Sequence, residues 1–255
     1  MSRREYNPKT KRPWHFRLFK GVFKIFKKKV DVLDLNEGNI ADKCIFVANH
    51  SGASGPFSYE LFFPKHFIPW GHHQMCGNYK DRWNYLYHIF YQQKLHYNKF
   101  KSFLIATVFA IISKSIYTSV GLIGTYTDAR LHSTIKKSFK VFEKDMAILI
   151  FPENSNEGYK EILEEYHSGF VTLSNLYFRR TKEDLPVYNV YYSKKLCKMV
   201  IDKPVYLNEL LKTKTPEEIA QMFVDRTNEL YRTYLLKTDE EKVENKDVEE
   251  KSETK

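Results

Sequence analysis

The sequence predicts an α/β fold: a central, mostly parallel sheet flanked by helices, preceded by an amphipathic helix. Residues 44–48 form a short apolar run of β type that breaks off at Asn49-His50-Ser51, and a second run, 147–150, breaks off at Phe151-Pro152-Glu153. Segments of helical spacing fall between such runs. A histidine on one strand end and a carboxylate on another is how an open α/β sheet presents a site, in the crevice outside the carboxyl ends of its strands.

Taken in order, residues 1–13 read as a basic, poorly ordered arm. Phe16, Phe19, Val22, Phe23, Phe26 and Val30 then recur at helical spacing, with Arg17, Lys20, Lys24, Lys27 and Lys28 on the adjoining arc. That is the pattern of a basic interfacial membrane helix; a helix packed on the protein's own core with a solvated basic face is the alternative. Residues 43–48 are expected to be a strand, 51–55 a small-residue turn and 56–63 a helix. The stretch 67–97 has weak periodicity and is expected to be helical or irregular. Helices are expected over 104–116, 133–143 and 169–180, and strands over 120–123, 146–151, 186–192 and 198–201. Thr215-Pro216-Glu217-Glu218 carries a capping box with proline at the first helical position, opening a helix to about residue 236. The division is therefore 1–30 for arm and surface helix, 31–237 for the α/β domain, and 238–255 for a charged tail too poor in apolar groups to fold.

Composition narrows the function. The chain has 255 residues, 42% hydrophobic and 28% charged, which suits one globular domain with a full core. Aromatics reach 16%, a surplus that fits either a Phe-rich core or a protein with a greasy groove at a bilayer. Three scattered cysteines, Cys44, Cys76 and Cys197, give no disulfide framework and point to a reducing, cytosolic-side compartment. The formal net charge of +10 is unevenly spread, because residues 1–29 hold eleven Lys/Arg and one acid. Residues 238–255 hold eight acids and four lysines, so attraction to polyanions belongs to the N-terminus and not to the whole body. That distribution argues against nucleic acid as a partner and for an anionic membrane surface. No apolar run reaches the roughly 20 residues of a spanning helix. The longest, 103–112, is expected to be a buried helix or one dipping into the interface. The N-terminus lacks the apolar core and cleavage site of a secretory signal.

With these residues in view, the order of motifs resembles the glycerolipid acyltransferase family, which includes the lysophosphatidic acid acyltransferases. Asn49-His50-Ser51, Gly121-Leu122-Ile123, Phe151-Pro152-Glu153, Leu185-Pro186-Val187-Tyr188 and Val200-Ile201-Asp202-Lys203-Pro204-Val205 follow one another as that family's motifs do, over most of the chain. Tyr166-His167-Ser168-Gly169-Phe170 resembles the stretch after the Phe-Pro-Glu loop. The resemblance implies an acyltransferase, which the basic N-terminal helix would hold peripherally at a membrane and the cysteine usage would place on its cytoplasmic side. It would transfer an acyl group from acyl-CoA or acyl-carrier protein to the hydroxyl of a lysophospholipid or related glycerolipid, with no further cofactor. His50 would be the general base and Glu153 a second polar group on the acceptor. Asn49, Ser51, Gly121, Arg130, Phe151, Pro152, Asn154 and Ser155 would line the substrate site.

The chain departs from that pattern in two ways. The family's histidine is paired with a carboxylate five residues on, where this chain has Gly55, and residues 51–55 contain no acid. Glu60, Glu153 or Asp128 would have to approach instead. The family's phosphate-binding arginines are also missing: Gly124 stands at one position, Asn156 at the other, and Arg130, Lys160 or His167 would have to replace them. Without its acid the fold would serve as a lipid-binding scaffold in place of an enzyme. A carboxylate on either ring nitrogen of His50 would favour the enzyme, and backbone partners alone would favour the scaffold. His72-His73 with Cys76 lacks a fourth ligand at suitable spacing, so no metal site is expected. Cys197 reads as an apolar filler in a strand, and for Glu153 a helix N-cap or salt bridge stands as an equal alternative to a hydrogen bond from the acceptor hydroxyl.

Overall fold

The computed structural model describes residues 6–52, 54–126, 128–154 and 158–236. Helix α1 (Trp14–Phe26) leads into strands β1 (Asp31–Asp34) and β2 (Ile45–Ala48), helix α2 (Gly55–Phe62) and strand β3 (Phe67–His72). Helices α3 (Tyr79–Asn84) and α4 (Lys99–Val120) follow, then β4 (Ile123–Thr125), α5 (Leu131–Phe142), β5 (Ala147–Ile150) and α6 (Gly169–Thr181). Strands β6 (Pro186–Ser193) and β7 (Lys198–Tyr206) precede α7 (Leu207–Leu210) and α8 (Pro216–Leu230).

The strands form one seven-stranded sheet in the order β1-β7-β6-β2-β5-β3-β4. From β6 to β4 all neighbours are parallel, β7 returns antiparallel to β6, and β1 runs parallel to β7. The fold is thus α/β with a mostly parallel sheet. Central strands β2 and β5 are buried at every position, so they read in sequence as unbroken apolar runs rather than alternating ones. Alternate residues still point to opposite faces. Ile45, Val47, Ile148 and Ile150 join the core under α5, α6 and α8, while Cys44, Phe46, Ala48 and Leu149 join a second layer with Tyr59 of α2.

Several expectations need correction. Residues 67–72 form a strand, β3, despite Pro69 and Gly71. Proline sits where pairing passes from β5 to β4, so its missing N–H interrupts no continuous ladder. The strand expected at 120–123 begins only at Ile123, because α4 runs on to Val120 and ends on Gly121 in the left-handed conformation, φ 70°. Strand β1 was not anticipated. Cys197 lies in the β6–β7 turn at φ 52°, not in a strand. The apolar run 103–112 is part of a 22-residue helix that leaves most of its large side chains exposed, so it is not a buried helix.

From Tyr6 onward the arm is docked. The Tyr6 hydroxyl donates to the Gly121 carbonyl, and the buried Arg12 guanidinium grips both Glu60 oxygens and the carbonyls of Val120 and Phe67. Helix α1 packs one apolar arc on the body and leaves another outside. Phe16, Phe19 and Phe23 form an aromatic row, and Phe19 and Phe23 pack on Phe57 of α2. A second apolar arc, Trp14, Leu18, Val22, Ile25 and Phe26, stays outside, with Ile25 80% and Phe26 81% exposed. Val30 falls beyond the helix and is buried. Residues 1–5 and the expected tail at 238–255 lie outside the described residues.

Candidate active site

Strands β2 and β5 pair with Val47 opposite Ile150, and three residues further along the same register His50 meets Glu153. The contact is made through the main chain: the His50 backbone N–H donates to Glu153 Oε2 at 2.6 Å. The imidazole turns to its own loop, where Nδ1 lies 3.2 Å from the Gly52 carbonyl. A carbonyl only accepts, so Nδ1 carries the proton and Nε2 keeps the lone pair. Phe151 and Tyr159 hold the ring at centroid distances of 5.0 and 4.7 Å, Tyr159 nearly parallel to it.

The loop after His50 is tightly wound, with Ser51 at φ 45° and Gly52 at φ 81°. It brings the Gly55 backbone against the His50 carbonyl so closely that a Cβ on residue 55 would lie 1.5 Å from that oxygen. The missing acid is therefore more than a truncated side chain: the main chain occupies the space a side chain would need. Gly124 behaves similarly, since a Cβ there would stand 3.1 Å from His73 Cα. None of the proposed substitutes supplies the acid to the ring. Glu60 is held by Arg12 and Lys20, Asp128 is paired with Arg130, and Glu153 bonds the main chain.

Electrostatics at the rim centre on Lys94, at the end of a π-helical stretch, Tyr85–Lys94. Burial pushes the His50 imidazole down to about 4, the Gly52 carbonyl opposes this, and the Lys94 charge adds to it. Burial raises the Glu153 carboxyl to about 7 against the pull of the His50 N–H and of Lys94. His72, at the end of β3, is likewise lowered to about 4 by burial, by His73 and by Lys94. One lysine thus acts on groups at the ends of β2, β5 and β3. At neutral pH the site holds a neutral imidazole beside a carboxyl poised between its two forms.

The remaining candidates divide. Phe151 touches the imidazole, and buried Pro152 accepts from His167 N–H. Asn49 is buried and wholly engaged: its Nδ2 donates to Tyr192 O, and its Oδ1 accepts from Tyr192 N–H and the Tyr59 hydroxyl. It joins β2 to β6 through the Tyr192 backbone. Ser51 Oγ accepts from Lys194 N–H, tying the loop to the β6–β7 turn. Gly121 precedes β4, at the opposite end of the sheet from His50, and caps α4. Arg130 lies beyond β4, three strands away from β2, clasped by Asp128 and stacked over Tyr126. Asn154 bonds Glu165, Lys160 bonds Glu164, and Ser155 lies outside the described residues.

Sequence reasoning missed Lys94 and Tyr159, which reach His50 through an irregular segment and a loop that carry no periodic signal. Adjacent histidines within one strand point to opposite faces, but His72 ends β3 and His73 lies beyond it. Their rings stack at 4.6 Å because the strand ends between them, and Tyr85 and Tyr126 extend the stack on either side.

No family model and no curated protein matches this chain. Among solved structures it is similar to the crystal structure of the 1-acyl-sn-glycerophosphate (LPA) acyltransferase, PlsC, from Thermotoga maritima. The identity is 13% and the TM-score 0.42, over 84% of this chain and 76% of that one.

Proposed function

We propose that the chain is a peripheral membrane acyltransferase acting from the cytoplasmic side. It moves an acyl group from acyl-CoA or acyl-carrier protein to the hydroxyl of a lysophospholipid or related glycerolipid. The observation that carries this reading is the Nδ1–H bond to Gly52, which fixes the tautomer that a general base needs. The acceptor hydroxyl gives its proton to His50 Nε2 as its oxygen bonds to the thioester carbonyl carbon. The C–S bond then breaks, and the departing sulfur takes the proton back from the imidazolium, leaving an ester and a thiol. In this reading Glu153 accepts a hydrogen bond from the acceptor, and the Lys94 charge suits either a phosphate or the transient oxyanion. The exposed arc of α1 and its cations bring the site to an anionic bilayer.

A dyad carboxylate does two things, orienting the ring and stabilising the imidazolium, and the Gly52 carbonyl does only the first. In serine proteases the corresponding loss lowers turnover by roughly ten-thousandfold, so transfer here is slow. A second reading, a lipid-binding relative that has lost the chemistry, is favoured by one observation: among the described residues the imidazole meets no carboxylate.

A panel of lysolipids and acyl donors, with product mass detection and direct lysolipid binding, separates the two. Product that accumulates with the parent protein and disappears in His50→Ala supports transfer. Saturable lysolipid binding without product supports the scaffold. Neither binding nor product removes both.

A further inference from the structure

Helix α4 carries its side chains inside out. Ser102, Ala106, Ala110 and Ser113 face inward and are fully buried. Phe100, Leu104, Val108, Ile111 and Ile112 face outward on one arc of roughly a third of the circumference, with Phe100 75% and Ile111 63% exposed. A helix covering a water-soluble core does the reverse, placing its large apolar groups inside. Small residues within and large ones without is how helices pack in lipid, where close backbone approach holds the helix to its neighbours and the hydrocarbon takes the bulky groups.

The inner face is firmly seated. Ala106 and Ala110 pack with Met75, Leu86 and Tyr91, Arg82 Nε donates to the Ala110 carbonyl at 3.1 Å, and Trp83 Nε1 donates to Thr107 Oγ1 at 3.0 Å. Among the described residues α4 is the one helix long and apolar enough to cross a membrane by length and composition. Protein covers it along one side, and its other side faces outward.

Charge complementarity identifies the covering surface. Helix α4 contains no acid; exposed Lys101 stands within its apolar arc near the N-terminal end, and exposed Lys114 borders the arc toward the other end. Its last turn meets α1 through His15 Nε2 and Ser119 Oγ at 3.3 Å, and meets the preceding arm through Arg12 Nη1 donating to Val120 O. Helix α1 also lacks acids, and its Arg17, Lys20 and Lys24 line a groove with Lys11, Arg12 and His66. An apolar face bordered by cations matches acyl chains beneath anionic headgroups.

We infer that the outward face of α4 is a bilayer-contact surface, whose five apolar side chains enter the acyl layer of an anionic membrane. This adds a second helix to the membrane contact proposed for α1 and does not depend on acyl transfer, so it is tested without any acyl donor. The full chain is mixed with phosphatidylcholine–phosphatidylglycerol vesicles, beside Val108→Asp/Ile111→Asp and the milder Val108→Ser/Ile111→Ser. All of these positions are exposed, and circular dichroism checks the fold.

In about 1 M salt, where surface electrostatics are screened to a few ångströms, the parent stays bound and the Asp variant partitions at least about tenfold less, the Ser variant falling between. A Val108→Trp variant is quenched by acyl-chain-brominated lipid beyond the quenching of the parent. Unchanged partition of the Asp variant, or no added quenching, overturns the inference. So does a parent dimer that the Asp variant turns into monomer without a change in partition, which would assign the face to a second copy of the chain.

Discussion

His50 and Glu153 stand side by side at the ends of β2 and β5, yet they are joined through the His50 backbone N–H and not through the ring. The imidazole Nδ1 donates to the Gly52 carbonyl, which also accepts from the Gly55 N–H, and Gly55 lies against the His50 carbonyl. Restoring an acid at position 55 therefore does not rebuild a dyad. Gly55→Asp and Gly55→Ala are both expected to lose about 3 kcal/mol or more, since a Cβ at 1.5 Å from a carbonyl oxygen forces the main chain to move. Denaturant titration measures the loss, and neither variant should raise product formation. A Gly55→Asp protein of parental stability with faster turnover would show that the loop opens to receive a side chain.

Glu153 should make stability fall as pH rises. Burial lifts its carboxyl from 4.5 to about 7. A group whose folded value lies above its unfolded one contributes fully below the unfolded value and loses that contribution as pH climbs through the folded value. The window is therefore pH 4.5 to about 7, and the loss across it is on the order of 3 kcal/mol. His50 acts in the opposite sense, its value being lowered, so the informative quantity is the difference between Glu153→Gln and parent at each pH. Unfolding midpoints from pH 5 to 8 should show the variant gaining steadily on the parent. A constant difference would mean that Glu153 is ionised throughout.

What the sequence revealed follows from how local each signal is. Strands β2 and β5 are legible because burial on both faces makes them unbroken apolar runs, and the capping box at Thr215 is complete within four residues. Strand β3 is hidden by Pro69 and Gly71, tolerated only because the ladder changes partner there and because Leu122 fills the space over Gly71. In the site, His50 and Glu153 are legible as polar ends of such runs, whereas Lys94 and Tyr159 arrive through tertiary packing. Asn49 illustrates a different limit. A strand-end asparagine looks the same in sequence whether its amide faces a ligand or the backbone of the next strand.

Asn49 consequently predicts a stability defect rather than a binding defect. Its amide makes three hydrogen bonds in a buried position, two to the Tyr192 backbone and one to the Tyr59 hydroxyl. Asn49→Ala leaves the Tyr192 N–H and carbonyl without partners, at about 1–3 kcal/mol for each buried group left unpaired. Unfolding free energy should drop by roughly 2–5 kcal/mol in sum, while lysolipid affinity of the remaining folded protein stays at the parental value. Reduced affinity at unchanged stability would return Asn49 to the substrate site.

Glu60 should control whether α1 stays on the body. Burial works against its ionisation, but the hydrogen bonds and charge of Arg12, followed by Lys20, outweigh burial and hold the carboxyl below its ordinary value. Glu60→Gln strands the buried Arg12 guanidinium and is expected to cost about 3–5 kcal/mol, the range for breaking one side of a buried pair. Glu60→Leu combined with Arg12→Met removes both charges. It should recover only part of that loss, because Arg12 also binds the carbonyls of Val120 and Phe67. The pH dependence has a definite sign: a lowered carboxyl contributes above its unfolded value of 4.5 and loses that contribution as pH falls through the still lower folded value. Acid should therefore release α1 in the parent only once the pH has fallen below 4.5, and leave the double variant unaffected, as read by protease cleavage within Trp14–Phe26. Cleavage that rises equally in both proteins would place the acid-labile contact elsewhere.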